Sequence, residues 1–330
     1  MRTTLVIIFL CLGFASAQEK TSYPLEKNDA VFIITANGSI FDQARNELVN
    51  ELRDEFTVSI NEINETAATT AAEEIDALFN TNGIPKAVVL IGNNAIRMYL
   101  KYCSQHKEKT ASIQVVTILA LDVPRAVSGI PNVNAISYET PMVTALVNFR
   151  RVLNKPIANV GVIYRKAYRE FIDKQSRFCR KENIEIKGLE IGDDTGKHPA
   201  EITEALKTLL KKEPVDALWI VNDNILLKPE LLGNVWLPAL RKNKAPLIVG
   251  VEALVNPKLN FGTFAVIPDP VALGEQAAEI IFDLKFDDWN HSGVMVHPAI
   301  STYSVLNMKK ATEFTELEKL KTFEVSKVLN

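Results

Sequence analysis

The sequence predicts an α/β fold made of two doubly wound parallel-sheet lobes, joined by a hinge in which the chain crosses several times. Three observations lead to this prediction. Short apolar, β-branched runs alternate with amphipathic helical patterns along residues 30–119, as in a parallel sheet covered by helices on both faces. A less regular stretch with two prolines and a glycine follows at 122–134. The alternation then restarts and continues to about residue 305.

In the first half, each predicted strand is a continuous apolar run and each predicted helix carries apolar residues on one face. The predicted strands are 30–34, 56–60, 87–91 and 114–119, and the predicted helices are 39–53, 67–79 and 95–105.

In the second half, Pro141 is placed at the start of a helix, where its missing N–H costs nothing. The predicted strands are 160–163, 184–189, 217–221 and 246–249, and the further helices are 169–181, 198–211, 229–241 and 271–284. Residues 260–267 are interpreted as a crossing strand and 294–305 as a last extended stretch.

These elements divide the chain into two lobes. The N-terminal lobe is predicted to take 28–122 and about 268–286, the C-terminal lobe 136–262 and about 296–312, with a tail at 313–330. Crossings beyond the one near 122–136 are expected near 262–269 and 286–296. A hinge of this kind opens a cleft between the lobes, which is the natural place for a ligand.

Composition excludes several classes of protein. The 330 residues are 47% hydrophobic and 23% charged, which argues against extended disorder and against a protein with many membrane spans. The 37 Lys and Arg against 40 Asp and Glu give a net charge of −3, so no nucleic-acid partner is indicated.

The N-terminus has the pattern of a secretory signal peptide. A basic start at Arg2 precedes an apolar run over 5–14 and the small residues Ala15-Ser16-Ala17, which predicts cleavage before Gln18. The apolar run is shorter than the roughly 20 residues that a membrane span needs. An uncleaved N-terminal anchor is the alternative. We therefore expect an exported protein, periplasmic in a bacterial host.

Motifs for catalysis are missing from the sequence. It has no Gly-rich dinucleotide fingerprint after the first strand, no G-x-S-x-G elbow and no H-E-x-x-H. His291 and His297 have no third ligand in view, so no metal is expected. Cys103 and Cys179 lie in helical patterns and are expected to be buried thiols rather than a bridge. We expect a protein that is not an enzyme and has no cofactor.

Polar side chains recur where predicted strands end. In an open parallel sheet, ligands bind beyond the carboxyl ends of the strands. The residues predicted on this basis to contact a ligand are Asn37, Ser39, Asn93, Asp122, Tyr138, Arg165, Asn222, Asp223 and Glu252.

Several of these residues have a structural alternative. Ser39 and Asn93 are also suited to capping the helices that follow them. Asp122 can begin a turn before Pro124, and Arg165 can be a solvated surface residue. Asp223, between two asparagines, is the strongest candidate, because it offers an anionic acceptor beside a buried strand.

Four segments resemble the tryptophan/tyrosine-binding type of bacterial ABC-transporter substrate-binding proteins. They are N-V-N-A-I-S-Y-E-T-P (132–141), D-A-L-W-I-V-N-D-N (216–224), I-V-G-V-E-A-L-V (248–255) and P-D-P-V-A-L-G-E-Q-A-A (268–278). The resemblance covers essentially the whole chain after the signal. It implies the type 1 periplasmic-binding fold, and it matches the family's binding aspartate to Asp223.

The chain departs from the family pattern at positions that shape the pocket. Leu121 replaces a threonine, Pro270-Val271 replace two tyrosines, and Ala253 follows Glu252 where a second polar residue is usual. Tryptophan and tyrosine are therefore not carried over as ligands, although an amino-acid-like ligand remains open.

The resemblance implies a monomeric receptor that captures a small molecule and delivers it to an ABC permease in the membrane. Two alternatives stay open: an exported sensor that signals to a membrane partner, and an exported α/β enzyme.

Overall fold

The computed structural model describes residues 29–63, 71–153, 155–242, 244–320 and 325–330. The predicted signal peptide lies outside these residues. The chain forms two parallel-dominated sheets flanked by helices, which confirms the predicted fold class. Among the described residues, no helix combines the length and apolar character that crossing a bilayer requires.

The first sheet has six strands in the order β11-β5-β4-β3-β1-β2, and all of its pairs are parallel. The strands are β1 (Ala30–Ala36), β2 (Thr57–Ile63), β3 (Ala87–Ile91), β4 (Gln114–Ala120), β5 (Val133–Ser137) and β11 (Val294–Pro298). Its helices are α1 (Ser39–Leu52), α2 (Ala71–Asn82), α3 (Asn93–Gln105), α4 (Lys107–Thr110), α5 (Val123–Ala126) and α11 (Pro270–Phe286).

The second sheet has seven strands in the order β13-β12-β10-β9-β8-β6-β7. The strands are β6 (Asn159–Arg165), β7 (Glu185–Ile191), β8 (Ala217–Ile220), β9 (Leu247–Val249), β10 (Phe264–Pro268), β12 (Thr302–Asn307) and β13 (Lys327–Leu329). Its helices are α6 (Met142–Leu153), α7 (Arg169–Lys181), α8 (His198–Lys207), α9 (Pro229–Leu231), α10 (Leu237–Lys242), α12 (Met308–Ala311) and α13 (Leu317–Leu320). Only β10 and β12 pair antiparallel among the described strands.

Burial explains why these runs are strands. Every residue of the central strands β3 and β4 is buried, because helices cover both faces of the sheet. The edge strand β2 instead alternates between exposed and half-buried residues until Ile63. Each sheet therefore has an apolar core on either side of it.

The chain passes between the sheets at three places: after β5, between β10 and α11, and between β11 and β12. At the second crossing, Asp269 Oδ1 accepts from Val271 N at 3.0 Å and caps α11. At the third, Gln276 of α11 donates to Pro298 O at 3.0 Å and accepts from Ile300 N at 3.3 Å. The chain therefore crosses between the sheets in three segments, the arrangement expected of a hinge between two lobes.

The structure corrects two sequence interpretations. The run predicted to cross at 260–267 is β10, an inner strand of the second sheet that pairs with both β9 and β12. The extended stretch predicted at 294–305 is two strands, β11 and β12, which belong to different sheets. An apolar extended run predicts a strand but does not indicate its partner, which explains both differences.

Candidate functional site

A cavity of about 1190 Å³ lies between the two lobes. The first lobe lines it with the ends of β1, β3 and β4 and with the first turns of α1 and α3. The second lobe lines it with the loop after β9, with Tyr303 of β12 and with the C-terminal residues Ser326–Asn330. This volume is somewhat larger than that of ordinary small-molecule pockets, which span roughly 300–1,000 Å³.

Two glycines allow the first lobe to turn sharply at the cavity. Gly38 joins β1 to α1 with φ 144°, and Gly92 joins β3 to α3 with φ 89°. These positive φ values favour glycine, because other residues adopt them only with strain. The first turns of α1 and α3 consequently begin directly at the cavity wall.

Four of the predicted ligand contacts lie in this wall: Ser39, Asn93, Tyr138 and Glu252. Ser39 is the exposed first residue of α1, and its hydroxyl accepts from Gln43 at 3.2 Å. Tyr138 lies at the first hinge crossing and is 5% exposed. Burial raises the pKa of Tyr138, and the charge of Glu252 raises it further, so this phenol stays protonated.

The Asn93 amide is engaged by the backbone of the loop after β4. Asn93 Nδ2 donates to Leu121 O at 2.8 Å, and Leu121 N donates to Asn93 Oδ1 at 2.9 Å. The end of β4 that leads into this loop is irregular, since its register with β5 shifts between Thr117 and Ala120, and Asp122 in the loop has φ 51°. Asn93 thus holds a strained loop in place at the cavity wall.

Glu252 is held by two neighbours in the wall. Tyr303 OH donates to Glu252 Oε2 at 2.6 Å, and Lys327 Nζ lies 2.6 Å from Glu252 Oε1. Burial acts to raise the pKa of Glu252, but the contacts from Lys327 and Tyr303 outweigh it and lower that pKa. Glu252 is therefore an ionised carboxylate with both oxygens occupied.

The other five predicted contacts, Asn37, Asp122, Arg165, Asn222 and Asp223, do not line this cavity. Arg165 and Asp223 pair with each other in the second lobe: Nε donates to Oδ2 at 2.6 Å and Nη2 donates to Oδ1 at 3.0 Å. Asp223 Oδ1 also accepts from Ile225 N at 2.8 Å. Arg165 is 9% exposed and Asp223 is 1% exposed, so the pair is buried.

Asp122 belongs to an acidic group beside this pair. Its backbone N–H donates to Glu139 Oε1 at 2.5 Å, and Ser137 Oγ donates to Glu139 Oε2 at 3.2 Å. Burial raises the pKa of both Asp122 and Glu139, and the charge of Asp223 further raises the pKa of Asp122.

Tyr168 packs on the Arg165 guanidinium, whose central carbon lies 5.9 Å from the centroid of the Tyr168 ring.

Asn37 is exposed, and Asn222 packs closely on the backbone of Gly250. A Cβ at Gly250 would collide with the Asn222 side chain, so glycine is required there. The Asn222 backbone carbonyl accepts from Tyr168 OH at 3.4 Å. All nine predicted ligand contacts stay predictions.

The sequence prediction missed Tyr303, Asp269 and the tail residues Ser326–Asn330, all of which line the cavity. The prediction considered only residues that follow a strand. Tyr303 instead lies at the beginning of β12, which runs antiparallel to β10 and so starts at the cavity. A polar or aromatic residue at the start of an antiparallel strand is the signal that could have found it.

The described residues contain no group of three or more His, Cys, Asp or Glu arranged to hold a metal ion. Cys103 and Cys179 are buried and free, as predicted.

A substrate-binding protein with adhesive properties from Clostridium difficile, in its ligand-free, open form, superposes with TM-score 0.63. It shares 14% identity over 92% of this chain and 99% of its own. The chain has the type 1 periplasmic-binding fold.

Two further solved structures are similar. An ABC domain in complex with L-Trp from Streptococcus pneumonia has TM-score 0.57 and 17% identity over 91% of this chain and 100% of its own. A conserved domain protein from Vibrio cholerae has TM-score 0.57 and 14% identity over 92% and 100%. No protein-family model matches the sequence, and no curated protein sequence matches it.

Proposed function

We propose that this chain is an extracytoplasmic solute-binding protein that captures a small molecule between its lobes and delivers it to an ABC transporter. The proposal rests on the cavity of about 1190 Å³, which both lobes line and which lies beside the three chain crossings between the sheets. Closure of the hinge would remove a bound molecule from water and complete its contacts.

The chemistry of the wall supports capture of an organic solute. Apolar surface from Ile40, Phe41 and Leu121 lies next to polar groups from Ser39 and Glu252. A site of this composition gains affinity from buried apolar area and selectivity from hydrogen bonds. Each polar group that a wrong ligand leaves unpaired would cost about 1–3 kcal/mol.

The first test is native mass spectrometry of the protein purified from its host without denaturation. We expect a monomer that carries a small molecule, which denaturation releases for identification. Refilling the emptied protein with that molecule should shrink the radius of gyration measured by X-ray scattering, as the lobes close. A chain that retains no small molecule, or one that converts it to a product, would refute the binding proposal.

Tyr138→Phe tests the position of the ligand. The variant keeps the buried ring and removes only the hydroxyl that lines the cavity. Since one hydrogen bond is worth about 0.5–1.5 kcal/mol, affinity for the released molecule should fall by a factor between about 2 and 13 in calorimetry. Tyr168→Phe, which does not alter this cavity wall, is the matched control.

Delivery has a separate test. Deleting the gene from the host should abolish uptake of the identified molecule, and growth on that molecule should fail with it. Normal uptake in the deletion strain would show that the protein binds the molecule but does not deliver it to a transporter.

A further inference from the structure

The last described strand, β13, forms part of the cavity wall. It pairs in parallel with β12 at the edge of the second sheet, with Lys327 opposite Val305. Ser326 N donates to Ser304 Oγ at 3.1 Å, which fixes the start of the strand. Residues Ser326–Asn330 therefore line the cavity as part of the second lobe.

The charged side chains in the described wall are Glu252, Asp269 and Lys327. Asp269 caps α11, because its carboxylate accepts a hydrogen bond from Val271 N. The Lys327 ammonium, 2.6 Å from Glu252 Oε1, is thus the group that neutralises the Glu252 carboxylate inside the cleft.

The two partners of Glu252 differ in how firmly they are held. Tyr303 is a half-buried residue of β12 within the sheet, and its hydroxyl donates to Glu252 Oε2. The Lys327 side chain is 48% exposed and reaches Glu252 through a flexible four-carbon chain. Exposed ion pairs contribute little to stability, so Lys327 can leave Glu252 without unfolding the lobe.

We propose that Lys327 occupies the place of a cationic group of the ligand, and that a ligand carrying an ammonium on an apolar body displaces it from Glu252. This inference rests on the proposed binding function. The apolar body would lie on Ile40, Phe41 and Leu121. The ammonium would pair with the Glu252 carboxylate, beside the rings of Tyr138 and Tyr303. Displacement releases Lys327 to solvent, and the carboxylate remains paired throughout.

The test uses three probes that share one ring and differ in charge: 2-phenylethylamine, 2-phenylethanol and phenylacetate. Calorimetry compares the wild type with Lys327→Met, which keeps the length of the side chain and removes its charge. Lys309→Met, at an exposed lysine of α12, is the matched control. Thermal unfolding of both variants checks that each is folded.

We expect Lys327→Met to bind 2-phenylethylamine about two- to fivefold more tightly than the wild type or Lys309→Met, because the amine no longer has to break an exposed ion pair. Affinity for 2-phenylethanol should stay unchanged. In the double variant Lys327→Met/Glu252→Gln, the gain for the amine should vanish.

Equal amine affinity in the wild type and Lys327→Met, or no measurable amine binding to Lys327→Met, would overturn the inference. So would phenylacetate binding that the wild type shows and Lys327→Met loses, since Lys327 would then bind an anionic ligand directly. If the protein from its host carries a ligand and the amine results are negative, only this inference fails. If no small molecule is retained at all, the proposed function itself fails.

Discussion

Arg165 and Asp223 form a bidentate ion pair across 58 residues of sequence, with Nε–Oδ2 at 2.6 Å and Nη2–Oδ1 at 3.0 Å. Arg165 is the last residue of β6, and Asp223 lies just beyond the end of the neighbouring strand β8. Because the parallel strands end at the same edge of the sheet, the two side chains meet. The aspartate that the sequence places at a strand end is thereby paired with an arginine from the adjacent strand.

Asp223→Ala should destabilise the protein strongly. The change removes the bidentate partner of the buried Arg165 guanidinium and leaves it only the exposed Asp193, 3.8 Å away. Breaking a buried pair in this way typically costs about 3–5 kcal/mol. Urea unfolding followed by circular dichroism would measure this loss. Replacing the exposed Arg169, which pairs with Glu190, by methionine should have a far smaller effect. Comparable losses in the two variants would contradict the buried-pair interpretation.

Asn93→Ala should loosen the loop after β4. It removes both hydrogen bonds to Leu121 and leaves a backbone N–H and a carbonyl unpaired, at a cost of about 1–3 kcal/mol. Amide hydrogen exchange at Leu121 should accelerate while the core of β4 stays protected. Ser39→Ala, an exposed change in the same wall, serves as the control. Unchanged exchange at Leu121 would show that the loop does not depend on Asn93.

Glu139→Gln should alter the dependence of stability on pH. Burial raises the pKa of Glu139 above its usual 4.5, so the folded protein binds this proton more tightly than the unfolded chain does. The wild-type carboxyl therefore favours folding fully below pH 4.5 and loses that contribution as the pH rises through its higher folded-state pKa.

Glutamine keeps an oxygen that can accept from Asp122 N but does not titrate. Relative to the wild type, the variant should gain stability as the pH rises above 4.5 and passes through the raised folded-state pKa of the wild-type carboxyl. Urea midpoints across this range would measure the difference. Parallel pH profiles for the two proteins would rule out a raised pKa at Glu139.

Gly274→Ala should weaken the packing of α11 on α1. A Cβ at Gly274 would approach the carbonyl oxygen of Ala44 closer than real Cβ atoms do, so the helices would have to separate. Overpacking of this kind costs about 1–3 kcal/mol. Gly233→Ala is the matched control, since nothing lies within 4 Å of the added methyl. Alanine there should be neutral or stabilising, because it favours helix.

Much of the architecture is encoded locally. The continuous apolar runs that became β3 and β4 predict buried strands, because a strand covered on both faces has no polar side to display. The break near 122–134 and the restart after it predict a second sheet. Asn93, Tyr138 and Glu252, which were selected because they follow strand ends, line the cavity wall.

Which strands pair with each other was determined only by the tertiary structure. The run at 264–268 joins the second sheet, and 294–298 returns to the first, although both have the same extended apolar character. Hydrophobic periodicity specifies how much of a strand is buried, but the identity of its neighbour depends on contacts between residues far apart in the chain.

The tertiary structure likewise determined which residues line the candidate site. Glu252 and Lys327 are separated by 75 residues, yet their charged atoms lie 2.6 Å apart, because β13 pairs with β12 beside the cavity. The sequence by itself determined that polar groups stand at strand ends in two α/β lobes. Tertiary structure determined which of them line the cavity and which, as Arg165 and Asp223, satisfy each other, because a buried charge is stable only beside its partner.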